Sequence, residues 1–465
     1  MARRERPAPA EAVRLDGRKL EGGGQLVRIA VALSALTGRA VAIDNIRGNR
    51  GGKKGLKASH LAAIETLGEL SGSTLVKAQV GSTSMDFYPP LEQDKARETN
   101  KDINIRLPTP GSVFLVFQAL YPYLMHTASV NKIYLSITGG TNVSSSPSYD
   151  YVAQVLVPNF ARVGLPPLEV RLEKRCWSLG PGHGHPDGKV VFAIDTLRGA
   201  NGGAPRHEVP SIDLHRYRRG TISQIDITIL APNDQLNFGT QHKRNNKASS
   251  DVKERTNAEQ LEEPETVREF MENQVHKKLR KRLKELPRTV FSSSSHSESG
   301  DPDPKRKTQK VSIKTHTTEV THHRSCMYVL IVAHTSTGFK LGRDALYGSL
   351  QDQSKPKTPR PKKGQKRPQE DMVSNVNRLV DQCVESFAQE LWDPRLQEAD
   401  ATDRHQPCVD EHMRDQLVVF EALGRGSGDQ DQQEPESQED ERYWSLHTRT
   451  AQWVCEEMLE ESSIT

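Results

Sequence analysis

A chain of 465 residues has room for about two to three domains with real cores, but 34% hydrophobic and 5% aromatic content leaves part of that length as unpacked insertion. A formal net charge of +4 is too mild to establish nucleic-acid binding, although the charge is unevenly spread. Cysteines at 176, 326, 383, 408 and 455 have no metal-ligand spacing, and no apolar run reaches membrane-spanning length; these exclude a disulfide framework and a membrane partner and lead us to expect a soluble intracellular protein.

The first ninety residues alternate between strand and helix patterns. Ala12 to Leu15 reads as a strand, followed by a loop ending in Gly22-Gly23-Gly24. From Gln25 to Thr37, Leu26, Ile29, Ala30, Leu33 and Leu36 recur at helical spacing, and Gly38 is the stop. Ala40 to Ile46 predicts a strand. The polar loop from Arg47 to Lys54 leads to a second helix, Leu56 to Leu70, which Gly72 closes. Strands Thr74 to Val80 and Ser84 to Tyr88 follow.

A similar order then recurs. Ile103 to Leu107 is a strand, Gly111 opens an apolar helix to His126, and Lys132 to Ile137 is a strand. After the loop Thr138-Gly139-Gly140-Thr141-Asn142 come a helix from Tyr149 to Val163 and a strand from Leu168 to Leu172. The two series form a structural repeat.

Regularity fades from 197 to 345, where the pattern gives a strand (Thr221 to Leu230), a helix (Glu265 to Leu286) and a strand (Tyr328 to His334). The helix ends in a basic stretch, His276 to Arg282, read as a solvated face in preference to an RNA contact. Residues 292 to 310 have a disordered composition. The run from Lys355 to Arg367 is basic and proline-rich, either a nuclear-localisation patch or a solubilising insertion. Helices Asn375 to Leu391 and Val409 to Leu423 follow, then an acidic loop, an extended segment Ser445-Leu446-His447-Thr448 and a last helix from Ala451 to Glu461.

Four clusters can carry chemistry. Glu21-Gly22-Gly23-Gly24-Gln25 puts backbone N–H groups at a helix start, where an anion can approach closely. Gln25 and Arg28 share a face of that first turn, and Glu21 offers oxygens to a divalent cation. Arg47 and Arg50 form a second cationic site. Asp415 and Gln416 interrupt an amphipathic helix shortly before His447, whose imidazole, largely neutral near pH 7, has the chemistry of a nucleophile.

Together these blocks resemble the RNA 3′-terminal phosphate cyclase family. The matching stretches are Leu15-Asp16-Gly17 with Glu21 to Arg28, Ile46-Arg47 through Gly55-Leu56, and Gly81-Ser82-Thr83. Gly111-Ser112-Val113 with Gln118, Gly139 to Asn142, Thr335 to Gly338, Asp415-Gln416-Leu417 and Leu446-His447-Thr448 follow in order. The family's Tyr beside the nucleotide is His412 here, and Ser59 stands where it has Gln before His60.

The resemblance implies an α+β fold: three repeats of paired helices on a small β-sheet, with a smaller inserted α/β domain. Residues 1–196 would hold repeats one and two, 197–345 the insert, 346–371 a basic linker, and 372–465 a third repeat that reads as truncated. It further implies ATP-dependent conversion of an RNA 3′-phosphate to a 2′,3′-cyclic phosphate through a histidyl-adenylate on His447. Glu21 would serve a divalent metal, Mg or Mn. Arg28, Arg47 and Arg50 would bind phosphate or RNA, and Gln25, Gln118, Asp415, Gln416 and His412 would form the nucleotide pocket. Expected partners are ATP and RNA with a 3′-phosphate end, and the expected location is the nucleus. The alternative is a non-catalytic cyclase-like RNA-binding protein in ribosome biogenesis.

Overall fold

A computed structural model describes residues 12–90, 100–126, 130–178, 188–197, 209–236, 265–292, 311–347, 372–392, 406–425 and 444–459. A first unit contains β1 (Val13–Asp16), α1 (Gly24–Thr37), β2 (Val41–Asp44), α2 (Ala58–Ser71), β3 (Thr74–Val76) and β4 (Met85–Tyr88). Its sheet runs β1-β2-β4-β3, with β1 parallel to β2 and the other pairs antiparallel. Gly38 and Gly72 close the two helices in the left-handed conformation, at φ 74 and φ 73, where a side chain would be strained. The strand expected to reach Val80 stops at Val76, where Lys77 turns to φ 58.

The second unit repeats this order. It has β5 (Asp102–Arg106), α3 (Val113–His126), β6 (Lys132–Thr138), α4 (Tyr149–Tyr151), a π-helical turn (Val152–Leu156), α5 (Val157–Arg162), β7 (Leu168–Lys174) and β8 (Lys189–Asp195). Its sheet runs β5-β6-β8-β7 with the same mixture of pairings.

The third sheet is connected differently. Strands β9 (Ile222–Pro232), β10 (Ser312–Thr321), β11 (Tyr328–Thr335) and β12 (Lys340–Leu346) run in the order β10-β9-β11-β12, and α6 (Val267–Leu283) crosses from β9 to its parallel neighbour β10. Ile225, Ile227, Ile229, Val329 and Ile331 point to one face, where α6 and α7 (Met372–Leu391) cover them. The described part of 197–345 is an ordered sheet with a helix, and α7, which the sequence reading placed with the last segment, packs on that sheet through Val376, Leu379, Val380, Cys383 and Phe387. The opposite face, with Leu230, Tyr328, Leu330 and Val332, joins the large core shared with the first two units.

Helices α8 (Glu411–Gly424) and α9 (Leu446–Leu459) complete that core without a sheet of their own among the described residues. Helix α1 is the hub, packing against α2, α3 and α9. Leu26, Val27, Ala30, Val31 and Leu33 are all fully buried, and each large aliphatic side chain stabilises the fold by about 1.5–3 kcal/mol. Burial on every side holds the N-terminal end of α1 in place.

Candidate active site

The start of α1 is glycine because neighbouring side chains crowd it. A Cβ at Gly24 would lie 2.3 Å from His60 Nε2 and 3.0 Å from Arg28 Nη1. Gly23 caps the helix without a side-chain hydrogen bond, so first-turn N–H groups stay available to an anion.

Glu21, from the loop before α1, is buried between Arg50 and His447. One carboxylate oxygen meets Arg50 and the other lies 3.0 Å from His447 Nδ1. The same Nδ1 is 3.1 Å from Gln25 Oε1. With Gln25 Oε1 as its hydrogen-bond acceptor and the Glu21 carboxylate close by, Nδ1 carries the ring proton of neutral His447, which leaves the Nε2 lone pair unprotonated.

His447 does not lie on an extended segment, as the sequence suggested. It is the second residue of α9, whose start is set by Ser445: the Ser445 hydroxyl accepts the Thr448 N–H at 3.2 Å. The ring is half exposed. Partial burial pushes its pKa below the ordinary histidine value, with Arg50 and Arg28 acting in the same direction and Asp415 opposing them. The neutral form therefore dominates at physiological pH.

Positive charge gathers around this ring. Arg28, largely buried, is lowered to about 10 by desolvation and remains protonated at neutral pH. The Lys57 ammonium is pushed down by burial and by Arg47, Arg50 and Arg28. Arg47 adopts φ 61, with its Nε buried and unpartnered. His60 is one residue whose place the sequence reading did not use. Its Nδ1 accepts the Lys57 N–H at 3.3 Å, and burial with its cationic neighbours lowers its pKa to about 3. It is thus a neutral ring presenting Nε2–H toward Gly24. The signal for it was Gly24 itself, whose closeness to α2 excludes a side chain.

Beside this cationic end lies a pocket bounded by Gln25, Arg28, Gln118, Asp415 and Gln416, with Ile29, Phe117, Tyr121, Phe160 and Phe420 forming its apolar part. Gln118 Nε2 donates to Gln416 Oε1, and Gln416 Nε2 donates to Asp415 Oδ1. Burial pushes Asp415 up to about 6, against the pull of His447 and Arg28.

His412 stands apart from the other candidates. It lies one turn before Asp415 on α8, 3.2 Å from Arg343 Nη1 and edge-on to Tyr151, and is not in the pocket lining. No group of three His, Cys, Asp or Glu side chains able to hold a metal occurs among the described residues. Glu21 can contribute one carboxylate to a cation whose remaining oxygens come from a bound polyphosphate.

The family model described as RNA 3′-terminal phosphate cyclase matches residues 19–463. Among curated proteins, the chain is similar to the RNA 3′-terminal phosphate cyclase of Thermococcus onnurineus, 41% identical over 161 residues, covering 35% of this chain and 44% of the relative. It is also similar to that of Korarchaeum cryptofilum, 36% identical over 196 residues, covering 41% and 52%. The cyclase of Methylococcus capsulatus is 37% identical over 162 residues, covering 33% and 42%. The chain thus spans about half the length of the curated relatives it matches.

Proposed function

The chain belongs to the RNA 3′-terminal phosphate cyclase family, and on that premise we propose that it converts an RNA 3′-phosphate to a 2′,3′-cyclic phosphate at the expense of ATP, through an adenylate on His447. The observation that carries this reading is the Gln25 Oε1 acceptor on His447 Nδ1, with the Glu21 carboxylate 3.0 Å from the same nitrogen, which leaves Nε2 as the nucleophile.

In the first step Nε2 attacks the α-phosphorus of ATP; a nitrogen–phosphorus bond forms and pyrophosphate leaves. Attack makes the imidazole cationic and its Nδ1–H more acidic, and the Glu21 carboxylate beside it stabilises that charge. The uncapped start of α1, Arg28 and the Nε2–H of His60 suit the phosphates, and the pocket between Gln25 and Gln416 suits the nucleoside. A divalent cation, held in part by Glu21, would supply charge neutralisation to the leaving pyrophosphate. An oxygen of the RNA 3′-phosphate then attacks the adenylate phosphorus, and His447 leaves. Finally the neighbouring 2′-OH attacks the activated 3′-phosphorus and gives up its proton to solvent, AMP departs with its electron pair and the ring closes.

Arg50 already engages Glu21, so it fits the adenylylation step as well as RNA phosphate binding. Arg47, with an unpartnered Nε, fits the terminal phosphate.

Incubation with α-labelled ATP followed by denaturation tests the mechanism. Label should remain on the protein in an acid-labile, base-stable form and disappear in His447→Ala; label that survives in that variant removes His447 from the role. Nuclear residence is proposed from the run 355–367, which lies outside the described residues. Deleting it should move a fluorescent fusion toward the cytoplasm, and an unchanged distribution would favour a solubilising insert.

A further inference from the structure

A second cleft, of about 80 Å³, opens between the second unit and the third sheet. Asn142, Ser144 and Ser148 form one wall; Tyr328, Asp344 and Gln382 form the other. Asn142 is 1% exposed, and its polar atoms are used unequally. Its Oδ1 accepts from Arg175 Nη1 at 3.0 Å and from Thr141 Oγ1 at 2.9 Å, whereas its buried Nδ2 has no partner. A buried amide donor left without an acceptor costs about 1–3 kcal/mol, so a site that maintains one has room for a ligand acceptor.

The facing wall supplies the opposite character. The Ser148 Oγ accepts the Tyr151 N–H at 3.0 Å, so its proton points to Tyr328 Oη, 2.6 Å away; Tyr328 in turn donates to Asp344 Oδ2 at 2.9 Å. This relay fixes the carboxyl of Asp344 and leaves its second oxygen to the cleft. An unpartnered donor opposite a carboxyl matches a group presenting an acceptor beside a donor. A phosphate is excluded by the carboxyl, and a purely apolar group by the amide.

The cleft is joined to the reaction centre by α8. Asp410 caps that helix, accepting from Met413 N at 2.9 Å while holding Tyr151 Oη at 2.6 Å and Gly342 N at 2.8 Å. Asp410 and Asp415 are thus separated by about 7 Å of helix rise. Between the two sites, Glu411 contacts Arg343 at 3.0 Å, and Arg343 contacts His412.

We propose that this cleft receives the base of an upstream nucleotide of the RNA whose 3′ end lies at His447, with Asn142 Nδ2 donating to a ring or carbonyl acceptor and Asp344 pairing with the adjacent amino or imino group. The inference rests on the RNA-end reading of the first site. Recognition of splayed single-stranded RNA bases through hydrogen bonds to their edges gives this arrangement its physical precedent.

The test uses the full chain and fluorescently labelled 3′-phosphate oligonucleotides in which each nucleotide near the end is made abasic in turn. At one upstream position, removing the base should weaken wild-type binding about tenfold. Asn142→Asp keeps the acceptor for Arg175 while removing the donor, and should bind the abasic and intact strands equally. Gln382→Ala, at an exposed rim position, should reduce the same difference and serves if the first variant does not fold. Wild-type binding that is indifferent to the base at every position overturns the proposal and leaves the cleft to water, as does a full base effect retained by Asn142→Asp. Base dependence without adenylylation would support this subsite while removing the enzymatic reading.

Discussion

The first two units share strand order and connections, yet their first helices begin in opposite ways. In unit one, α1 starts at Gly24 with no side-chain cap, and Glu21, Arg28, Arg50 and His60 surround its end. In unit two, Ser112 is buried and its hydroxyl accepts the Phe114 and Leu115 N–H groups at 3.2 and 3.3 Å. Its backbone also bridges to Gly140, so the loop after β6 closes over the start of α3. The corresponding loop in unit one, after β2, carries Arg47, Arg50 and Lys57 instead. One topology therefore yields one helix start without a side-chain cap and one that is sealed. The difference lies in what satisfies the first-turn donors, not in the fold.

Exchanging the character of the two helix starts breaks this comparison most severely. Gly24→Ala drives a methyl group against His60 and Arg28 and displaces the phosphate cradle, so the initial rate of self-adenylylation should fall by about 100-fold or more. Ser112→Ala removes a cap in the other unit. It should cost about 1 kcal/mol in denaturant unfolding and leave adenylylation near wild type. If both substitutions hurt stability alone, the start of α1 is not the phosphate site.

A smaller effect separates function from stability at α8, which lends a carboxyl to the open end. Asp415 is pushed up to about 6 by burial, whereas the unfolded chain titrates near 4. Between those values the folded state binds more protons, so this group's contribution to stability falls as pH rises through the window and the penalty is fully present above pH 6. Asp415→Asn carries no such penalty. It should be about 1–2 kcal/mol more stable than wild type at pH 7.5, with the gap closing near pH 4, and should bind ATP more weakly. Equal unfolding midpoints at both pH values would show that burial of this carboxyl imposes no cost.

The local parts of this architecture were legible in sequence because they are local. The stripe from Leu26 to Leu36 and the stops at Gly38 and Gly72 fix α1 and α2 through side-chain periodicity and left-handed caps. Strand β10 escaped because it is an edge strand, with Lys314, His316 and Thr318 facing solvent; what orders it is pairing with β9, across a helix and a long stretch of chain. Strand β8 depends likewise on β6, with helices and β7 between them in the chain. Ser445 was a readable cap for α9, but the segment from His447 to Thr450 after it is polar and shows no apolar stripe. The site itself joins Glu21 to His447 and Gln118 to Gln416, contacts that no periodicity encodes; family resemblance supplied the candidates, and packing around α1 brings most of them together.

Gln118 gives the finest test, because it crosses the boundary that the comparison draws. It belongs to α3, the helix of unit two whose start is sealed, yet its side chain reaches the pocket beside α1 and donates to Gln416. Its neighbours Phe117 and Tyr121 are buried, so the backbone of α3 is held independently of this amide. Gln118→Ala should therefore leave the unfolding midpoint nearly unchanged. Loss of the hydrogen bond frees Gln416 to rotate and loosens its grip on Asp415, weakening nucleotide binding by about threefold to tenfold. The maximal adenylylation rate at saturating ATP should stay close to wild type, because His447, Glu21 and Gln25 are untouched. A fall in that maximal rate at unchanged ATP affinity would instead place Gln118 at the reacting phosphate, and unit two would then share the chemistry rather than only the nucleoside pocket.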